Sequence, residues 1–546
     1  MEQYQGKGVY GAIAIGKALV LKKQGAEVKR IHVGDTEGEK RRFEEAKADS
    51  REQLGHIYEK ALKEAGEANA AIFEIHQMML DDEDYNNSVH RMIETQGVNA
   101  EYAVAAAADH FAELFSEKDD ARMKARAADI RDISDRVIGN LTGEIGQGAF
   151  PGEKRIICAF DLSPSETASL DRKKALAFVT AGGSTNSHTA ILAGNMGIPA
   201  VVGAGDCFLS KIQDGCELIV DGFTGEIYVE PDADTCKKMR KKQAAAEERK
   251  RLLQELKGRE NVTLDGRKID VFANIDSDDE VSAALSNDAG GIGLFRSEFL
   301  CLESGGYPTE ERQLAAYKRV LEGMAGKRVI IRTFDIGADK QADWFSLKKE
   351  ENPALGYRGI RISLTQPEVF KTQLRALYRA SVYGNLGILF PMITSVSEVE
   401  KIFAICDEVR EELKGQSLAY ADHVELGVMI ETPAAALISD RLAQMADFFS
   451  VGTNDLTQYT LACDRRNPDV EPFVDTRHEA VLTLIRMSAE NARKHGIRIG
   501  ICGELAADIS LTETFLRMGI DELSVSPALV LKVRDAVRNT DLSKEP

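Results

Sequence analysis

A chain of 546 residues is too long for one hydrophobic core and, at roughly 100 to 200 residues per domain, predicts about three domains. Its net charge of −19 argues against nucleic acid or an anionic membrane as the main partner, since both repel an acidic surface, and favours a basic protein partner. Cysteines at 158, 207, 216, 236, 301, 406, 463 and 502 form no C-x-x-C pair, and neither a signal-peptide core at the N-terminus nor a run of about 18 apolar residues is present, so a soluble protein of the reducing cytoplasm is expected, without disulfide framework or zinc site.

"VYGAIAIGKALVL", near residue 10, reads as a strand with a turn. At Thr36 the pattern changes: Thr36 and Glu39 have capping-box spacing, and helical periodicity continues to about residue 143. From Arg155 the runs "KRIICAFDL", "ALAFVTAGG", "IPAVVGAG" and "ELIVDGFTGEIYV" predict strands of a small α/β domain, which the strand near residue 10 joins, making the helical block an insertion. "DADTCKKMRKKQAAAEERKRLLQELKG" is charged, with few apolar positions, and predicts a solvated helix connecting two domains.

After Gly258 eight strand-like runs alternate with helical ones: "KIDVFANI", "GIGLFRSE", "RVIIRTFDIG", "RGIRISL", "LGILFPMI", "ELGVMIETP", "FFSVGTND" and "IRIGICGE". That count and size match a (β/α)8 barrel, with an open doubly wound sheet as the alternative. The expected division is 1–30 with 146–230 as the α/β domain, 31–145 as the helical insertion, 231–258 as the linker helix and 259–546 as the barrel.

In such a barrel the reacting groups lie at the C-terminal ends of the strands. The ends carry Arg296 and Glu298, Arg332 and Asp335, Glu431, Asn454 and Asp455, then Cys502 and Glu504. Glu431 and Asp455 end neighbouring strands and can converge on Mg²⁺ or form an acid/base pair. Arg296, Arg332 and Arg465 offer planar forks for carboxylate and phosphate oxygens, each charge-assisted contact contributing roughly 1.5 to 3 kcal/mol. Together they predict a small, highly anionic substrate. Cys502 is either inert packing or a proton donor, since a thiol is protonated at neutral pH. His188, in "GGSTNSHTAILAG", stands at a loop-to-helix junction, where unpaired backbone N–H groups can hold an anion; it either packs or does chemistry.

These motifs in order resemble the enzyme I family of the bacterial sugar phosphotransferase system, the phosphoenolpyruvate-protein phosphotransferases. "GIGLFRSEFL", "RTFDIGADK", "NPALGYRGIRISL", "FPMI", "MIETPAA", "VGTNDLTQYTLACDRRNP" and "GICGE" resemble its barrel blocks, and "DLSPSET" with "GGSTNSHTAILA" its phosphohistidine domain. The resemblance implies a swivelling α/β phosphohistidine domain with an inserted helical domain, followed by a TIM-type phosphoenolpyruvate-binding barrel. It implies phosphoenolpyruvate in the barrel with Mg²⁺ on Glu431 and Asp455, its phosphate and carboxylate held by Arg296, Arg332, Asn454, Asp455 and Arg465. His188 then accepts the phosphoryl group and Cys502 protonates the enolate to give pyruvate. The group passes on to a histidine of the phosphocarrier protein HPr, docked on the helical domain, and the enzyme is a homodimer through its barrels. Asp81, Asp82, Glu83 and Asp84 follow an amphipathic stretch and either attract a basic carrier face or form a solvated turn, with His76 packing or docking beside them.

The loop before His188 departs from the family pattern, Gly-Gly-Arg-Thr-Ser-His followed by Ala-Arg: it carries one additional residue, no arginine, and Gly194 at the second arginine position. Thr167 or Arg131 could compensate. Pyruvate phosphate dikinase and phosphoenolpyruvate synthase are similar in both domains but need a nucleotide-binding domain, for which no Gly-rich phosphate loop is present. A phosphoenolpyruvate-barrel lyase would have no use for His188, and a non-catalytic homologue that binds HPr gains weight only from the altered loop.

Overall fold

The computed structural model describes residues 1–21, 28–65, 67–116, 121–143, 153–163, 166–167, 174–183, 187–304, 306–337, 350–465, 467 and 469–544. Two compact units divide the chain, 1–249 and 250–546.

The first unit joins an eight-stranded sheet to a block of helices. Its strands are β1 (Glu2–Gln5), β2 (Lys7–Tyr10), β3 (Ile13–Val20), β4 (Arg155–Ala159), β5 (Ala175–Thr180), β6 (Ala200–Val202), β7 (Glu217–Asp221) and β8 (Glu226–Val229), in the spatial order β1-β8-β7-β3-β4-β5-β6-β2. Strands β3 to β6 run parallel, while β7 and β8 form an antiparallel hairpin that carries β1 on its outer edge. As expected, the N-terminal strands belong to the sheet and the helical block interrupts it. Strand β1 was not legible, because "EQYQ" has no apolar residue but Tyr4 and an edge strand needs little burial.

The block consists of α1 (Thr36–Ala65), α2 (Glu67–Leu80), α3 (Glu83–Gln96), α4 (Ala100–Ser116) and α5 (Ala121–Thr142). Phe43, Leu54, Phe73, Leu80, Tyr85, Val89 and Ile93 meet Ala103, Val104, Ala107, Ile130 and Val137 in its core. The expected capping box at Thr36 is corrected: the Asp35 carboxylate accepts from the Gly38 N–H at 2.9 Å, which makes Thr36 the first helical residue. Glu39 instead accepts from the Ala100 N–H at 2.8 Å and so ties α1 to the start of α4.

Helix α6 (His188–Met196) follows β5, and α7 (Ala233–Gln254) occupies the expected linker. The first half of α7 is not simply solvated. Met239 is buried against Ile13 and Ile219, Lys242 pairs with the buried Asp221, and Gln243 donates to the Ile13 carbonyl at 2.9 Å. Its C-terminal end crosses the division between the two units.

The second unit is a closed parallel barrel of β9 (Asp270–Ile275), β10 (Ile292–Arg296), β11 (Arg328–Arg332), β12 (Asn385–Phe390), β13 (Glu425–Ile430), β14 (Phe448–Val451), β15 (Arg498–Ile501) and β16 (Glu522–Val525). Strand β16 pairs with β9 in parallel register, which rules out the open sheet. The count of eight strands agrees with the sequence pattern, but one of the eight runs is not a strand. "RGIRISL" alternates Ile360, Ile362 and Leu364 like a strand, yet it follows Gly359 at φ 56° and forms helix α8 (Ile360–Thr365), burying Ile360, Ile362 and Ser363. The true eighth strand, "ELSV", is four residues long and opens on a glutamate, too short a signal to register.

A large apolar layer fills the space between strands and surrounding helices. Inside the barrel Leu294, Ile330, Leu389, Met429 and Phe448, one residue from each of five staves, form a separate cluster with Cys502, the residue that follows β15. Phe448 lies over Gly427, where a Cβ would collide with its ring, and beside Gly387, where a Cβ would fit only tightly at 3.3 Å. Below it the guanidinium of Arg328 stacks at 4.6 Å from the ring centroid and donates to Glu425 at 2.7 Å and to buried Glu522 at 3.2 Å. This plug closes the N-terminal end, so the opposite mouth is where a ligand can reach the strand ends.

Candidate active site

At the C-terminal mouth, strand register and loop turns bring six buried charged groups together. Arg296 and Arg332 are register partners at the ends of β10 and β11. The next residue, Ser297, donates from Oγ to the Arg332 carbonyl at 2.7 Å, and Glu298 accepts through Oε1 from Arg332 Nη2 and from the Asp335 N–H, both at 2.9 Å. Asp335 also lies 3.2 Å from Arg332 Nη1. Across the mouth Arg358 donates to Asp335 at 2.9 Å, to Asp455 at 3.1 Å and to the Tyr459 hydroxyl at 3.0 Å. Its loop turns at Gly359, whose N–H is held by the Ile336 carbonyl at 2.8 Å.

Glu431 follows β13 directly and accepts from the Met392 N–H at 2.6 Å, deeply buried. Gly452 makes the room for it, since a Cβ there would press on the Glu431 side chain. Asp455 is not on β14 itself but in the first turn of α9 (Thr453–Leu461), which begins two residues after the strand.

Arg332, Arg358, Glu298, Asp335, Glu431 and Asp455 are all buried, so four carboxylates face two guanidinium groups among the described residues. Burial opposes both arginine charges, but the carboxylates outweigh it: Glu298 and Asp335 at Arg332, Asp335 and Asp455 at Arg358 hold both groups firmly protonated. Glu431 goes the other way. Burial first, then the negative charge of Asp455 and Asp335, pushes its carboxyl above the ordinary range. A carboxylate strained in this sense gains most from an added cation. Glu431 and the remaining oxygen of Asp455 suit Mg²⁺, which takes one or two protein carboxylates and completes its shell with substrate oxygens and water. No set of three or more His, Cys, Asp or Glu side chains forms a complete metal cage among the described residues.

The other expected residues are placed less uniformly. Arg296 is half-buried at the rim and pairs with Asp276 at 2.6 Å. Asn454 and Glu504 exchange hydrogen bonds, Asn454 Nδ2 donating at 3.1 Å and the Glu504 N–H returning one at 3.0 Å. Cys502 is buried inside the barrel, its thiol donating to the Val451 carbonyl at 3.6 Å; burial, with the Glu431 charge adding to it, pushes the thiol up to about 11. Arg465 is exposed in a turn, its N–H donating to Gln458 at 3.1 Å, and the described contacts do not join its side chain to the cluster. Arg358 was missed. It lies inside a quoted motif, but before a helix rather than at a strand end, so the strand-end rule passes over it.

In the first unit the loop-to-helix junction is as expected. His188 opens α6, and Ser187 caps the helix by accepting from the Ala190 N–H at 3.4 Å. Residues 184–186 and the His188 imidazole lie outside the described residues. Thr167 is buried, its N–H on the Ser163 carbonyl at 3.0 Å, and Arg131 is exposed on α5. Part of the acidic turn is structural: Asp82 caps α3 through the Tyr85 N–H at 3.0 Å, and Asp81 pairs with Arg51 at 3.3 Å. His76 is fully buried between Asp129 at 3.3 Å and Asp132 at 3.7 Å, a packing position.

Family descriptions match three consecutive segments: "PEP-utilising enzyme, N-terminal" over residues 5–126, "PEP-utilising enzyme, mobile domain" over 150–225 and "PEP-utilising enzyme, PEP-binding domain" over 250–542. A phosphoenolpyruvate-protein phosphotransferase of Bacillus subtilis (strain 168) is 43% identical over 546 residues, covering 100% of this chain and 95% of the relative. That of Haemophilus influenzae is 41% identical, covering 97% and 92%, and that of Enterococcus faecalis 39% identical, covering 100% and 95%.

Proposed function

The chain belongs to the phosphoenolpyruvate-protein phosphotransferases, a family of PEP-utilising enzymes, and from that premise we propose how its own residues divide the reaction. The enzyme moves a phosphoryl group from phosphoenolpyruvate to protein. The observation that carries the assignment is the convergence of Arg332, Arg358, Glu298, Asp335, Glu431 and Asp455 at one mouth of the barrel.

Arg332, fixed between Glu298 and Asp335, presents a guanidinium whose orientation is set before substrate arrives; Arg296 and Asn454 at the rim and Arg465 in its turn complete the grip on phosphate and carboxylate oxygens. Arg358 holds Asp335 and Asp455 in place. Glu431 and Asp455 would hold Mg²⁺, which would supply positive charge to neutralise oxygens of the transferring group. The P–O bond to the enol oxygen breaks as a P–N bond forms to a ring nitrogen of His188. The electron pair left on the enolate is quenched at carbon by the Cys502 proton, giving pyruvate. The amides at the start of α6 steady the phosphate on His188. From there the group passes to a basic phosphocarrier of the HPr type, drawn to the acidic surface of the helical block, and the barrel is the dimerising part.

Incubation with ³²P-labelled phosphoenolpyruvate and Mg²⁺, followed by addition of purified HPr, tests this. Acid-labile label on His188 that chases onto HPr is the expected result, with labelling abolished and phosphoenolpyruvate affinity retained in His188→Ala. Pyruvate release without labelled protein would make the chain a lyase, and ligand binding with neither would make it a non-catalytic binder.

A further inference from the structure

A charged cavity lies at the end of the barrel opposite the reacting groups. It measures about 570 Å³ and is lined by Arg267, Lys268, Arg493 and Arg498, the segment Gly496–Ile499, Gly519 and Asp521. Four cations thus meet one carboxylate, in a protein whose net charge is −19.

That carboxylate is already committed on both oxygens. Asp521 Oδ1 accepts from Arg267 at 3.0 Å and Oδ2 from the Ile499 N–H at 3.2 Å. Arg267 is largely satisfied as well, donating to the Leu516 carbonyl at 2.6 Å and the Ile520 carbonyl at 3.0 Å. The other three cations are less engaged. Arg493 uses one amino group on the Met518 carbonyl at 3.2 Å, Arg498 one on Asp270, and Lys268 pairs at 3.2 Å with Glu260 in solvent, where an ion pair contributes little. A guanidinium has five N–H donors, so Arg493 and Arg498 keep donors for an anion.

Two glycines keep the cavity open. Gly496, at φ 71°, ends α10 (Glu479–His495), and Gly519, at φ 103°, ends α11 (Thr512–Met518); both are left-handed caps that a side chain would strain. A Cβ on Gly519 would approach the Arg493 guanidinium at 3.3 Å, and none of the surrounding atoms comes within 4 Å of one on Gly496.

We propose that this cavity is a second anion site, taking a dianionic phosphate, free or esterified to a small metabolite, on Lys268, Arg493 and Arg498. The proposal is independent of the reading of the opposite mouth, because the two share no residue.

Isothermal titration of the full chain in Mg²⁺-free buffer tests it, with inorganic phosphate in one arm and glycerol 3-phosphate in the other. At least one of the two should bind the Arg332→Gln protein, in which the opposite mouth is impaired, and tighter binding of the ester would identify an esterified ligand. Lys268→Glu, at an exposed position, should weaken that binding at least tenfold, and Lys268→Glu with Arg493→Gln should abolish it. Both variants should keep phosphoenolpyruvate-dependent labelling, which reports that they are folded. Absence of binding to the Arg332→Gln protein, or unchanged binding in Lys268→Glu, overturns the proposal.

Discussion

Arg358 Nη1 donates to Asp455 Oδ1 at 3.1 Å, linking a loop between β11 and α8 to the first turn of α9 on the far side of the barrel mouth. The same guanidinium holds Asp335, so one side chain fixes two carboxylates that would otherwise repel each other in a buried site.

Arg358→Ala should therefore destabilise the barrel by about 3 to 5 kcal/mol, the usual cost of removing one partner from a buried ion pair. Arg358→Lys keeps the charge but loses the planar fork. It should remain folded while the rate of self-phosphorylation falls on the order of a hundredfold, through disordered Asp455. Urea unfolding followed by a labelling time course separates the two effects.

Cys502 supplies the second expectation. Because burial holds its thiol up to about 11, the proton it donates stays in place through neutral pH, and the pH–rate profile should show no loss of the acid form below about pH 10. Cys502→Ala should leave phosphoenolpyruvate affinity within a few-fold of the parent and slow pyruvate formation by roughly 10²- to 10⁴-fold. A coupled lactate dehydrogenase assay reads the rate.

How much of this site could be read in advance depended on strand ends. Glu431 and Arg332 terminate or directly follow apolar strands, so their convergence was legible from pattern alone. Arg358 belongs to a loop folded over the mouth, and its importance arises from tertiary contacts with Asp335 and Asp455 that no local periodicity encodes. The same limit produced the strand error: Ile360, Ile362 and Leu364 alternate, yet Gly359 and the Gln366-Pro367 boundary favour a short helix, whereas "ELSV" becomes a strand only because β15 and β9 flank it.

Glu522, under the plug at the closed end, should set a pH dependence of stability. Burial raises its pKa from 4.5 to about 7, with Arg328 only partly opposing the shift. A folded state that keeps its proton longer than the unfolded chain is favoured at low pH, so this contribution is complete below about pH 4.5 and is lost as pH rises through 7. Its size is on the order of 3 kcal/mol. Glu522→Gln should flatten that part of the profile, checked by urea unfolding between about pH 5 and 8 as the difference from the parent.

Gly427→Ala tests the packing of the same plug. A methyl group there meets the Phe448 ring, which is also held from below by Arg328 and cannot retreat. Overpacking of about 1 to 3 kcal/mol is expected, with relief in Gly427→Ala/Phe448→Leu. Thermal unfolding of the single and double variants measures the coupling.

The pairing of Glu2–Gln5 with Glu226–Val229 has a consequence during synthesis. The first strand leaves the ribosome more than two hundred residues before the neighbour it needs, and at roughly 5 to 20 residues per second it waits on the order of ten seconds or longer. Throughout that interval the α1–α5 block can mature while its flanking segments stay unpartnered. The nascent polypeptide therefore exposes the unpaired backbone edges of β1 and β3 long before β8 and β7 are made to cover them.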